Sequence, residues 1–107
     1  MSSEDYKEHV TAFLAEMKAV TDAKNPDYSA GSSDTMANYY ELAAAAGITP
    51  VQAWMCLMMK HVTAIMRFAK VGSVTSEPIR GRLIDLANYA MLGAALIEDM
   101  KGKGLTK

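Results

Sequence analysis

The residues best equipped for chemistry fall on two stretches. Lys60, Thr63 and Arg67 stand at i, i+3 and i+7, one stripe of a helix. Almost everything else between Val51 and Ala69 is apolar, Gln52 and His61 being the other polar exceptions. Cations on so apolar a helix need anionic partners or water. Such a stripe suits a pocket for an anionic ligand, and equally suits pairing with protein carboxylates or snorkelling to solvent. The second stretch centres on Asp85, mid-helix between Ile84 and Leu86, with Asn88 three residues on and Tyr89 four. These spacings project all three side chains from one region. A buried aspartate needs a cation, and Lys60 and Arg67 are the natural candidates for the partner. Asp85 then belongs either to a structural ion pair or to the lining of a ligand or metal site.

Other chemistries find little support. His9 and His61 are far apart and lack metal-binding spacing, so both read as surface or packing residues. No nucleophile triad and no glycine-rich phosphate loop occur. Cys56 is the only cysteine, which excludes an internal disulfide; among apolar neighbours it is expected to be a buried thiol. The chain has 107 residues and a formal net charge of -1, which argues for one domain and against a basic groove for long nucleic acid. No stretch reaches the roughly 18 uncharged apolar residues of a membrane span. The polar, acidic start MSSEDYKEHV is unlike a secretory signal, so a cytoplasmic location is expected.

Four helices must position these residues, and no strand pattern is evident. The first is expected from about Ser3 to Asp22, with Val10, Phe13, Leu14, Met17 and Val20 as its apolar stripe. Pro26, Gly31 and neighbouring serines predict a loop over Ala23 to Asp34. A second helix runs from Thr35 to Ala46, capped by Asp34 or Thr35 and closed by Gly47. Thr49-Pro50 opens the third, ending near Lys70 before Val71-Gly72. The fourth starts at Ser76, Glu77 and Pro78 and reaches about Met100, with a frayed tail beyond; its Gly93 permits close helix packing. The fold class is therefore an all-α bundle. Half the residues are hydrophobic, and the third helix is apolar all round, so burial on most sides is expected. A small monomer cannot cover it. Trp54, Met55, Met58, Met59 and Met66 read as core or subunit interface in a homo-oligomer.

Three segments together resemble the MazG-like, all-α nucleotide pyrophosphohydrolases, in their small phage and bacterial branch. Lys24-Asn25-Pro26-Asp27-Tyr28-Ser29 is similar to a "KNxDYG" loop, Lys60 through Arg67 to a "K…R" helix, and Glu77 with Asp85-Leu86-Ala87-Asn88-Tyr89-Ala90 to an "E…DLxxYA" helix. The match covers about residues 20 to 98. The resemblance implies an oligomeric helical bundle holding a nucleotide between helices, with Lys24, Asp27, Tyr28, Lys60, Arg67, Arg80 (or Arg82), Asp85, Asn88 and Tyr89 as binding residues. Catalytic members hold Mg²⁺ on an ExxE pair and an ExxD pair. Here Asp85 and Asn88 occupy the ExxD positions, and Val51 to Lys70 contains no acid. That departure favours binding a nucleotide or nucleotide-derived signal without efficient hydrolysis, as in a phage protein opposing host defence within the host cytoplasm. Two alternatives stand beside it. One is a metal-dependent (d)NTP pyrophosphohydrolase with Asp27, Glu77 and Asp85 as its ligand pool, Glu77 and Asp85 foremost. The other is a structural helical oligomer or partner-binding protein.

Overall fold

A computed structural model describes residues 1–28, 34–73 and 78–106, without the side chains of residues 25–28. Among them the chain forms four helices and no strand: α1 (Ser3–Tyr28), α2 (Ala37–Ala46), α3 (Pro50–Val71) and α4 (Ile79–Gly102). The all-α bundle expected from the pattern is the observed fold.

The start of α3 follows its local chemistry. Thr49 accepts from the Gln52 amide at 3.1 Å, and the Gln52 side chain accepts from the Thr49 amide at 2.9 Å, a reciprocal cap that satisfies two otherwise orphaned donors. Pro50 sits where its missing N–H costs nothing. Gly47 and Gly72 close α2 and α3 in the left-handed region, with φ of 69° and 77°.

Two boundaries differ from expectation. Helix α1 continues past Asp22 to Tyr28, so residues 23–28 are helical and not loop. Pro26 falls in the last turns, where its missing N–H removes a single backbone bond. Contacts from Thr21 and Lys24 to α4 hold this extension in place. Helix α2 begins at Ala37, and Met36 has no side-chain cap. Asp34 instead accepts from the Met36 amide two residues on, at 2.9 Å, a local turn outside the helix. Ser76 and Glu77, the expected start of α4, lie outside the described residues; α4 is described from Ile79.

Helix α4 organises the molecule. It packs against α3 on one side and α1 on another, while α2 packs on α3. Met36, Tyr39, Leu92, Leu96 and Met100 form the core, with Val51, Trp54, Leu57 and Tyr89 packed against them. Trp54 lies directly over Gly93: a Cβ there would come within 2.5 Å of the indole. The indole N–H donates to the Tyr89 carbonyl at 2.8 Å, which fixes the ring against that turn of α4. Close packing at Gly93 is thus realised by an aromatic ring. The apolar girth of α3 is only half used. Its outward residues Met55, Cys56, Met59 and Met66 are exposed, because α2 and α4 cover the opposite side. The buried thiol expected at Cys56 is an exposed one.

Candidate functional site

The α1–α4 contact is built from polar side chains, and Asp85 lies at its centre. The residue is 9% exposed, on the face of α4 that also carries buried Ile84 and Asn88. Its carboxylate does not meet Lys60 or Arg67. Both are exposed on α3, and no carboxylate pairs with either among the described residues. The reason is helical phase: α3 turns His61 toward α4, and Lys60 lies a further 100° around the cylinder. The partners of Asp85 are Lys24, whose Nζ is 3.2 Å from Oδ1, and His61, whose Nδ1 is 3.7 Å from Oδ2.

His61 is 5% exposed and was not singled out by its spacing to His9. It lies on the inward stripe Trp54, Leu57, His61, Ile65 and Phe68, and that register is the signal that locates it. Arg82 Nη1 lies 3.1 Å from His61 Nδ1. A guanidinium only donates, so in this contact Nδ1 is the acceptor. The 3.7 Å separation from Asp85 is too long for a hydrogen bond. The His61 ring also lies against Tyr89, with centroids 5.3 Å apart. Lys24 and His61 are thus the described partners of Asp85, and Arg82 packs against His61.

One turn along α4, Asn88 is 1% exposed. Its Oδ1 accepts from the Thr21 hydroxyl of α1, while its buried Nδ2 has no hydrogen-bond partner among the described residues. An unmet buried donor of this kind costs about 1–3 kcal/mol. Asn88 and Thr21 form the polar end of a recess of about 210 Å³ lined otherwise by Thr35, Met36, Met91, Leu92 and Ala95. That is smaller than the roughly 300–1,000 Å³ of small-molecule pockets, so it suits one ring of a ligand.

The structure therefore brings together Lys24, Asp85, Asn88 and Tyr89 from the expected set, with Arg82 rather than Arg80, and adds Thr21 and His61. Arg80 is elsewhere: it makes a two-pronged pair with Glu16 of α1, both contacts at 2.9 Å, and lies over the Phe13 ring. The pairing holds the Glu16 carboxyl below its ordinary range. The side chains of Asp27 and Tyr28, and Glu77 entirely, lie outside the described residues. Among the described residues no cluster of three or more His, Cys, Asp or Glu is placed to hold a metal. A second polar group joins α2 to the end of α4. The Tyr40 hydroxyl donates to Asp99 at 2.7 Å, Lys103 pairs with Asp99 at 2.9 Å, and its ammonium lies 4.2 Å from the Tyr40 ring centre. Burial and the adjacent Asp99 carboxylate raise the Tyr40 pKa, and the Tyr40 and Lys103 hydrogen bonds lower that of Asp99. This group ties two helices together at the surface and borders no recess given above.

No single described helix is long and apolar enough to cross a membrane. No protein-family model, curated protein or solved structure matches the chain.

Proposed function

We propose that this chain binds a phosphorylated small molecule of the nucleotide class at the α1–α4 contact, without efficient hydrolysis, in the manner of a MazG-like helical protein. The observation that carries the reading is the buried Asp85 paired with Lys24 of α1, with His61 of α3 beside it and Arg82 of α4 against His61. The carboxylate fixes Lys24 at the α1–α4 contact. Lys24 is half exposed and free to turn toward a phosphate, a point-charge contact of the kind lysine makes well. The recess beside Asn88 would take an apolar ring, with the amide as its polar contact. Lys60 and Arg67, exposed on α3, have no part in this site. A cytoplasmic setting, and a role in sequestering a nucleotide-derived signal, as for a phage protein facing host defence, belong to the same proposal.

The alternative, a Mg²⁺-dependent pyrophosphohydrolase, would need Asp85 to leave Lys24 and join Asp27 and Glu77 around the metal. Calorimetric titration with nucleoside mono-, di- and triphosphates and cyclic dinucleotides, with and without Mg²⁺, separates the readings. Binding with the ligand recovered intact, weakened roughly tenfold or more in Lys24→Ala, is the expected result. Absence of binding across the panel, or binding indifferent to Lys24→Ala, removes the proposal. Pyrophosphate release abolished by Asp85→Ala turns it into the enzymatic alternative.

A further inference from the structure

The recess beside Asn88 is polar at one end and apolar along its length. Its α4 wall runs from Asn88 through Met91 and Leu92 to Ala95, so the amide stands at one end and hydrocarbon lines the two turns beyond it. Thr21 meets the amide from α1. Asn88 is 1% exposed, and its Nδ2 hydrogens have no partner among the described residues. The Thr21 hydroxyl takes one lone pair of Oδ1. The amide therefore offers a ligand two donors and one remaining acceptor position.

Size and polarity together select the ring. A cavity of about 150 Å³ accepts benzene, so a recess of about 210 Å³ takes one six-membered ring with its substituents. A pyrimidine base has the matching polarity. Its hydrogen-bonding atoms lie on the edge around ring nitrogen 3, and the opposite edge, carbons 5 and 6, is hydrocarbon. With the polar edge at Asn88, the hydrocarbon edge meets Met91, Leu92 and Ala95. A purine carries acceptors on both sides of its fused rings, so one of them would be set against these side chains without a donor, which is unfavourable.

The phosphate count follows from the neighbouring charge. Lys24 stands one turn beyond Thr21 on α1, as Asp85 stands one turn from Asn88 on α4, so the lysine lies next to the recess along the same helix contact. The other nearby cations of the described residues are turned to other partners, Arg80 to Glu16 and Arg82 to His61. A single half-exposed lysine matches a single phosphate.

We infer that the ligand is a pyrimidine nucleoside monophosphate, its base in the Asn88 recess and its phosphate at Lys24. This rests on the nucleotide reading above and narrows it to one ring and one phosphate.

Calorimetric titration of the full chain tests it with cytidine, uridine, adenosine and guanosine monophosphates and with cytidine triphosphate. A pyrimidine monophosphate should bind at least about tenfold more tightly than either purine, because the misplaced acceptor is left unpaired. The triphosphate should match its monophosphate within about fivefold, the worth of an exposed ionic contact. Asn88→Asp, which exchanges the donor for an acceptor, should abolish the preference for pyrimidine. Should that variant fail to fold, Ala95→Leu decides, since Ala95 is exposed and lines the recess. It should keep its helical circular dichroism and lose pyrimidine binding at least about tenfold, as the added side chain fills the space of the ring. Purine monophosphates bound as tightly, a triphosphate favoured beyond that margin, or pyrimidine binding unchanged in Ala95→Leu would overturn the inference and leave nucleotide binding standing. Absence of binding by every nucleotide in the panel would remove both.

Discussion

The two sides of α4 are joined to the rest of the molecule by opposite chemistry. Toward α3 and α2, Leu92, Leu96 and Met100 are buried with Tyr39, and Trp54 fills the space left by Gly93. Toward α1, the cross-helix hydrogen bonds and ion pairs are Arg80 to Glu16, Lys24 to Asp85, and Thr21 to Asn88. The α1 stripe adds Val10, Phe13, Met17 and Val20 only as half-buried residues, and Leu14 is 52% exposed. Apolar burial contributes about 25 cal/mol per Å², whereas partly exposed ion pairs contribute about 0–1 kcal/mol each. The apolar seam therefore holds the fold, and the polar seam is the one a ligand, salt or acid can alter. The buried Asn88 amide lies on the polar side.

Substitutions on the two sides should separate cleanly. The largest loss is expected from Leu96→Ala, fully buried in the apolar seam, at about 2–5 kcal/mol by denaturant unfolding. Gly93→Ala follows, at about 1–3 kcal/mol, because the new methyl meets the rigid Trp54 ring and the clash outweighs the gain in helix propensity. On the polar seam the sign should change. Asn88→Leu removes a half-satisfied buried amide and is expected to leave stability within about 1 kcal/mol of wild type, or raise it, while abolishing ligand binding. A loss comparable to Leu96→Ala would show that Asn88 belongs to the structural half of the molecule. The smallest effect is expected from Arg80→Ala, since both partners of its ion pair are nearly half exposed.

Acid probes the same contrast. The folded pKa of Glu16 is lowered, chiefly by its hydrogen bond from Arg80, from an ordinary value of 4.5. The unfolded state therefore binds the proton first as pH falls. The stabilisation is fully present above 4.5 and is lost as pH drops through the depressed folded value. In a thermal melt series below that pH, wild type should lose the difference that separates it from Arg80→Ala. If the gap between the two persists in acid, the ion pair is not its source.

Much of the apolar seam was legible from local sequence. Thr49-Pro50 with Gln52, and the glycines at 47 and 72, announce helix ends through backbone rules that need no tertiary context. Gly93 was readable as a close approach, although the indole that fills it was not. The polar seam was half legible. Asp85 stood out as an acid among apolar neighbours, but its cation came from Lys24, 61 residues away, on a helix that Pro26 had made look shorter. A single proline penalty in the last turns is outweighed by tertiary contacts, and no local rule contains that comparison. Lys60 and Arg67 do not meet Asp85 because their phase on α3 carries them away from α4. His61, between them in sequence, lay on the inward stripe throughout.

The contrast between the apolar and polar sides of α4, with the binding proposed at the polar one, is tested most directly by hydrogen exchange of the full chain with and without the nucleotide that titration identifies. Amides of α1 should exchange faster than those of α3 and α4 around Trp54 and Leu96 in the free protein, and those near Thr21 and Lys24 should slow on adding ligand while the apolar core stays unchanged. Ligand protection confined to α3 around Lys60 and Arg67, or uniform exchange across both seams, would contradict it.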